Sequence, residues 1–106
     1  MSEWRDEIWK LYREKIAQWQ ENYMDRLNKE YIELLSSKEG NPSDRFWELE
    51  KRIKQDRRHP GVILERKKSR AFFDIVNLIR LNVITIDDLE DYSEELQEAV
   101  KEIIAR

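Results

Sequence analysis

Side chains that could perform acid–base or nucleophilic chemistry are few in this sequence. Among its 106 residues there is one histidine and no cysteine, which excludes disulfides, thiolate metal sites and a cysteine nucleophile. His59 is the only candidate with a pKa near neutrality, and the adjacent Arg58 disfavours its protonation. We interpret it as a structural turn residue. Because there is also no glycine-rich phosphate loop and no Gly-x-Ser-x-Gly motif, we expect no enzyme and no cofactor.

Carboxylates are concentrated near the C-terminus, where residues 85–106 hold eight Asp and Glu against two Lys and Arg. Such a run invites a calcium interpretation, but it lacks the alternating Asp and Asn ligands and the central glycine of an EF-hand loop. Several of these acids fall in the first turns of predicted helices, where capping and the helix dipole account for them. We therefore predict no metal site.

Basic side chains form a block over residues 51–70, with nine Lys and Arg against two Asp and Glu, a net charge of +7. Cations near a helix start can contact nucleic-acid phosphates. They can also pair with acidic helices of the same fold or of a partner subunit, and we favour this alternative because the sequence pI is only about 5.3 and no aromatic residue interleaves with the run. The residues concerned are Lys54, Arg57, Arg58, Arg66, Lys67, Lys68 and Arg70.

Aromatic side chains are the remaining candidate site. Six of the 11 lie within the first 31 residues, at positions compatible with one helix. They can pack a core, or they can form a protein–protein interface, where Trp and Tyr are enriched. Both alternatives stay open. The candidate partner-binding residues are Trp4, Trp9, Tyr12, Trp19 and Tyr23.

The elements that position these side chains follow from the distribution of Gly and Pro. There are two of each, as Gly40/Pro42 and Pro60/Gly61, which is too few to punctuate a sandwich or barrel. We predict an all-α fold: a single domain over residues 1–106, with four to five helices, a long N-terminal helix and a C-terminal helical hairpin. The approximate helices are 3–36, 42–58, 60–81 and 86–105.

The first helix has an apolar stripe at steps of three and four from Trp4 to Leu34, with Ser2 as its N-cap. At 1.5 Å per residue it would be about 50 Å long. A compact chain of this size has a diameter of about 35 Å. The helix is therefore expected to kink, to protrude or to be completed by a partner.

The two middle helices have distinct start and stop signals. Asn41 and Pro42 suit the N-cap and first turn of a helix whose apolar stripe includes Phe46 and Ile53, and Pro60 ends it by about Arg58. The third helix is strongly apolar over 71–81, so we expect it to be the most buried. Its first half is polar, and a break near Ser69 is the alternative.

The segment after the third helix has the clearest local signals. Asn82 can adopt the left-handed conformation that ends a helix, Thr85 and Asp88 have the spacing of a capping box, and Ser93 offers a second N-cap. The final helix is therefore either continuous over 86–105 or divided at Ser93.

This C-terminal region resembles the SHOCT-type short C-terminal domain over roughly residues 75–104. The resemblance is carried by Leu78-Ile79-Arg80-Leu81-Asn82-Val83-Ile84-Thr85-Ile86-Asp87-Asp88-Leu89. Within it, Ile84, Thr85, Asp88 and Leu89 match the family pattern, whereas Asn82 stands where the family usually has glycine and the following helix is acidic rather than basic. The resemblance implies an oligomerisation or docking element. The whole chain also resembles small bacterial or mobile-element proteins.

Neither a signal peptide nor an apolar run of 18 residues occurs in the sequence, so we expect a cytoplasmic protein with no membrane contact. The function we favour is a non-catalytic protein–protein interaction or oligomerisation module, with a protein partner or a second copy as its ligand and a homo-oligomer as the expected state. The first alternative is a nucleic-acid-associated regulator that uses residues 51–70. The second is a mobile-element inhibitor or adaptor that docks on a nucleic-acid-handling protein.

Overall fold

Four α-helices and two short 3-10 turns make up the computed structural model, which describes residues 3–106. The helices are α1 (Glu3–Ser36), α2 (Pro42–Asp56), α3 (Ala71–Arg80) and α4 (Glu94–Ile104), and the 3-10 turns are Lys68–Arg70 and Ile86–Leu89. This range contains no strand. The predicted all-α fold, with a long N-terminal helix and a C-terminal helical hairpin, is confirmed. Within the same range, no helix is both long enough and apolar enough to cross a bilayer.

Helix α1 covers the predicted span as one uninterrupted helix. Its predicted N-cap, Ser2, lies outside the described residues. The backbone contacts of the chain form two compact units, and α1 contributes to both. Unit 1 contains α1 up to Trp19 together with Glu65–Arg106, and unit 2 is Gln20–Leu64. The sequence predicts a helix longer than one compact domain, and in the structure the two parts of this helix belong to different units.

Unit 1 is built around α3, which is apolar on more than one side, as predicted. Helix α3 contacts α4, and its Asp74 accepts a hydrogen bond from Tyr12 of α1. The buried apolar residues of this unit are Ile8, Leu11, Tyr12, Ile16, Trp19, Ala71, Ile75, Val76, Leu78, Val83, Ile84, Leu89, Leu96 and Val100. Leu11 is among the fully buried residues.

The third helix begins at Ala71, so the predicted helix over 60–81 is wrong in its first half. Residues 63–67 have no regular structure, and Lys67 is extended (φ −115°, ψ 132°). Two physical reasons account for this. Side chains from Glu65 to Arg70 are exposed, so no burial rewards a helix there. The cations at 66–70 would also repel one another at helical spacing.

The turn between α3 and α4 follows the predicted chemistry. Asn82 has φ 60°, and the Val83 N–H donates to the Leu78 carbonyl at 2.9 Å, which closes a Schellman motif. The Thr85 N–H donates to Asp88 Oδ2 at 2.7 Å. The final helix is not continuous over 86–105 but divided at Ser93, which was the other alternative. A 3-10 turn precedes α4, and Ser93 Oγ caps α4 by accepting the Leu96 N–H at 3.2 Å.

Unit 2 contains a helical hairpin made of the second half of α1 and α2, which the loop of residues 37–41 joins. Asn41 precedes α2 as predicted, and its N–H donates to Asp44 Oδ2 at 2.9 Å. Tyr31 Oη donates to Asp56 Oδ2, which ties α1 to the last turn of α2. Helix α2 ends at Asp56, two residues before the predicted end, and a turn over residues 57–62 then returns to α1.

Candidate protein-interaction surface

The predicted partner-binding aromatics do not form one exposed surface. Tyr12 and Trp19 are buried, with 0% and 6% of their surface exposed, so their placement corrects the prediction that they face a partner. Trp4, Trp9 and Tyr23 are half-buried, and Tyr23 belongs to unit 2 while the other two belong to unit 1. Core packing, which was the alternative for this stripe, accounts for its buried members.

The contacts of Tyr12 and Trp4 show what the first half of α1 packs against. Tyr12 Oη donates to Asp74 Oδ2 at 3.1 Å, and the Trp4 ring lies 5.1 Å from the Phe72 ring. Burial, reinforced by the Asp74 charge, raises the pKa of Tyr12 well above its usual range. Burial also raises the pKa of Asp74, although the Tyr12 hydrogen bond and the Arg70 charge oppose this shift.

In unit 2, Tyr23 supports the turn that follows α2. Its ring stacks on the His59 ring at 4.7 Å, and the Gly61 N–H donates to His59 Nδ1 at 3.0 Å. A Cβ on Gly61 would lie 2.3 Å from Tyr23 Cδ2, so only glycine fits at this position. Burial lowers the pKa of His59. The histidine is engaged in the packing of this turn, in line with its structural interpretation.

The predicted basic contact residues are divided between the two units, with Lys54, Arg57 and Arg58 in unit 2 and the others in unit 1. Four of them lie near acids. The distances are Lys54 to Glu50, 2.7 Å; Lys67 to Glu65, 3.4 Å; Lys68 to Asp6, 3.9 Å; and Arg70 to Asp74, 3.7 Å. Such ion pairs are what the charge-pairing alternative predicts, but exposed pairs are individually weak. Nucleic-acid contact by these residues stays a prediction.

The largest exposed apolar side chains of unit 2 include three on α2. This helix has no buried residue, although its sequence is amphipathic. Phe46 and Trp47 are each 61% exposed, with ring centroids 4.9 Å apart, and Ile53 is 44% exposed. The sequence pattern identified this apolar stripe but could not show that unit 2 leaves it open to solvent.

The second half of α1 contributes to the same side of the hairpin. Met24 and Asn28 line a groove with Ile53 and Val62. One to two turns beyond Asn28 on α1 are Ile32 and Leu35, which are 62% and 49% exposed. We call these exposed apolar side chains the hairpin face, which consists of Ile32, Leu35, Phe46, Trp47 and Ile53.

Charged side chains border the groove at the end away from the α1–α2 loop. Glu21 lines it from α1, Asp56 from the last turn of α2 and Arg57 from the position just after α2. Asp56 is engaged within its own chain by Tyr31 and Arg52. One helical turn away are Asp25 on α1 and Lys54 on α2. An apolar centre with a charged rim is the usual composition of a protein–protein interface. Among the described residues, no group of three or more His, Asp and Glu side chains is arranged to hold a metal ion.

Comparisons with known protein families, with curated proteins and with solved structures find no match to this chain. The resemblance of its C-terminal region to the SHOCT-type domain therefore stays a prediction.

Proposed function

We propose that this chain is a non-catalytic protein–protein interaction module and that the hairpin face is its contact surface. The observation that carries the proposal is the exposure of α2, a 15-residue amphipathic helix with no buried residue. In most globular proteins the apolar side of such a helix is covered by the core. An exposed apolar patch with a polar rim is typical of a surface that binds another protein.

The composition of the hairpin face supports the same function. Trp and Phe supply large contact areas, and Trp is the residue type most often found among those that dominate binding energy. Arg57 at the rim can pair with a carboxylate. The absence of Cys and the single His in the sequence agree with a role in binding rather than in chemistry.

The test is site-specific photo-crosslinking in the cell. A photoreactive phenylalanine analogue replaces Trp47 in one version of the chain and Phe73 in the control. Phe73 is a matched control because it is 62% exposed, against 61% for Trp47, and lies in unit 1. We expect a covalent protein adduct from position 47 and none from position 73. Ile53→Glu in the same chain should remove the adduct.

No adduct from position 47, or equal adducts from the two positions, would overturn the proposal. The mass of a specific adduct also identifies the partner class, since two copies of this 13.1 kDa chain differ in mass from one copy joined to another protein.

A further inference from the structure

We infer that the occupant of the hairpin face is the hairpin face of a second copy, which forms a two-fold dimer with a four-helix bundle at its centre. This inference rests on the proposed function and adds the identity of the partner. In the dimer, α1 of one subunit packs against α2 of the partner subunit, and the two α1–α2 loops lie at the same end of the bundle.

The first argument is the area of the hairpin face. Its two aromatic rings are each 61% exposed, and its three aliphatic side chains are 44–62% exposed. With ordinary side-chain areas, these five residues leave about 400 Å² of apolar surface in solvent. A stable interface of standard size uses about 800 Å² per partner, of which somewhat more than half is apolar. The hairpin face with its polar rim is therefore of the size that a dimer needs.

The second argument is geometrical. A two-helix hairpin with one open apolar side can complete a four-helix bundle by adding an identical hairpin, because a two-fold axis brings the same patch of each subunit together. With the loops at the same end, Ile32 and Leu35 of α1 oppose Phe46 and Trp47 of the partner subunit's α2. The aliphatic edge of one hairpin thus covers the aromatic edge of the other.

The third argument is charge complementarity, which selects this orientation. With the loops at the same end, Glu21 on α1 opposes Arg57 of the partner subunit, and the two-fold axis makes this pair twice. With the loops at opposite ends, each of these charges would instead lie against the apolar end of the partner's hairpin face. A charge covered by apolar surface without a partner is strongly unfavourable.

The main experiment measures the mass of the purified full chain by sedimentation equilibrium over a wide concentration series. We expect a reversible dimer for the wild type. Phe46→Asp should raise the dimer Kd by about 100-fold or more, because a central aromatic is lost twice in a symmetric interface. Circular dichroism should show that this variant keeps its helices, since Phe46 is exposed within its own chain.

Phe73→Asp is the matched control. Phe73 is 62% exposed and contacts Phe72 edge-on at 5.5 Å, just as Phe46 contacts Trp47 edge-on at 4.9 Å. It lies in unit 1, outside the hairpin face. This variant should keep the wild-type Kd. A dimer that keeps its Kd in Phe46→Asp, or one that Phe73→Asp weakens as much as Phe46→Asp does, would overturn the inference.

A charge exchange tests the orientation. Glu21→Arg and Arg57→Glu should each raise the dimer Kd by about 3- to 10-fold, as expected for a rim ion pair that occurs twice. The double variant should return to within about 3-fold of the wild-type Kd, because the pair is restored with reversed polarity. Additive weakening in the double variant would overturn the same-end arrangement.

The two proposals fail in different ways. A monomeric wild type, combined with a position-47 adduct that contains a different protein, would overturn self-pairing and leave the interaction module standing. A monomeric wild type with no position-specific adduct would overturn both.

Discussion

Tyr12 and Asp74 form the polar contact at the centre of unit 1. Tyr12 is fully buried and Asp74 is 7% exposed, so neither polar group can turn to bulk water when its partner is removed. Arg70 lies 3.7 Å from the same carboxylate. A buried carboxylate with a hydrogen-bond donor and a nearby guanidinium can be accommodated, whereas one that has lost its donor is costly.

Tyr12→Phe should therefore lower the free energy of unfolding by about 1–3 kcal/mol, the range for a buried group that loses its hydrogen-bond partner. Urea denaturation followed by circular dichroism measures this loss. Asp74→Asn is the comparison, because its amide oxygen can still accept the Tyr12 proton and no charge is buried, so the loss should be smaller. Wild-type stability in Tyr12→Phe would show that the hydrogen bond contributes nothing.

His59 makes the turn after α2 sensitive to pH. Burial lowers its pKa below 6.5, with Arg26 acting in the same direction and Asp56 opposing it. Because the unfolded chain binds a proton in a pH range where the folded chain does not, the contribution of His59 to stability is present above pH 6.5 and is lost as the pH falls from there through the lower pKa of the folded chain. Protonation also removes the acceptor that Nδ1 provides for the Gly61 N–H.

We expect the wild type to lose stability between pH 7 and pH 5 relative to His59→Asn, whose side-chain oxygen can accept the same N–H but does not titrate. Unfolding free energies at the two pH values measure the difference. An NMR titration of the His59 ring checks the pKa itself. A pKa above 6.5 would contradict the prediction and reverse the sign of the pH dependence.

At the scale of elements, the end of α3 depends on one residue in a left-handed conformation. Asn82 has φ 60°, which asparagine tolerates and most other non-glycine residues do not. The Schellman hydrogen bonds from Asn82 and Val83 to α3 require this backbone geometry.

Asn82→Ala should lower the free energy of unfolding by about 1–2 kcal/mol, and Asn82→Gly should be neutral or stabilising, because only alanine adds strain at positive φ. Thermal and urea unfolding of the two variants give the comparison. The exposed Asn77, inside α3, is the control: there alanine should be the more stable choice and glycine the less stable one. The same ranking of Ala and Gly at both positions would contradict the explanation.

Across the whole molecule, burial is uneven between the two units. Of the 15 buried apolar residues in the part of the chain that the structure describes, unit 1 holds 14 and unit 2 holds one, Leu27. Local opening is easiest where few apolar contacts are buried. Helix α2, which has no buried residue, is therefore held mainly by its partly exposed contacts with α1 until the hairpin face is covered.

Hydrogen exchange should show this difference. At low protein concentration the amides of α2 should exchange faster than those of α3, and their protection should increase with concentration as dimers form. Protection in α3 should change much less, and the concentration dependence in α2 should vanish in Phe46→Asp. Amides of α2 as protected as those of α3 at the lowest concentration would contradict the prediction.

Local sequence signals predicted the elements whose ends depend on neighbouring residues. Asn41 before α2, Pro42 at its first position, Asn82 after α3 and Ser93 before α4 all act within one turn of the chain, so their effect can be read without knowledge of the fold. The 3–4 spacing of apolar residues in α1 is local in the same sense, and it predicted the full extent of the helix.

Only the tertiary structure decided where α3 begins and which apolar side chains are covered. The sequence over 60–70 allows a helix, but the side chains from Glu65 to Arg70 are exposed, and the helix starts where burial starts. Tyr12 and Phe46 both lie on apolar stripes, yet one is fully buried and the other is 61% exposed. Periodicity shows that a helix has an apolar side, whereas burial depends on contacts between residues far apart in the chain, and these arise only when the helices pack.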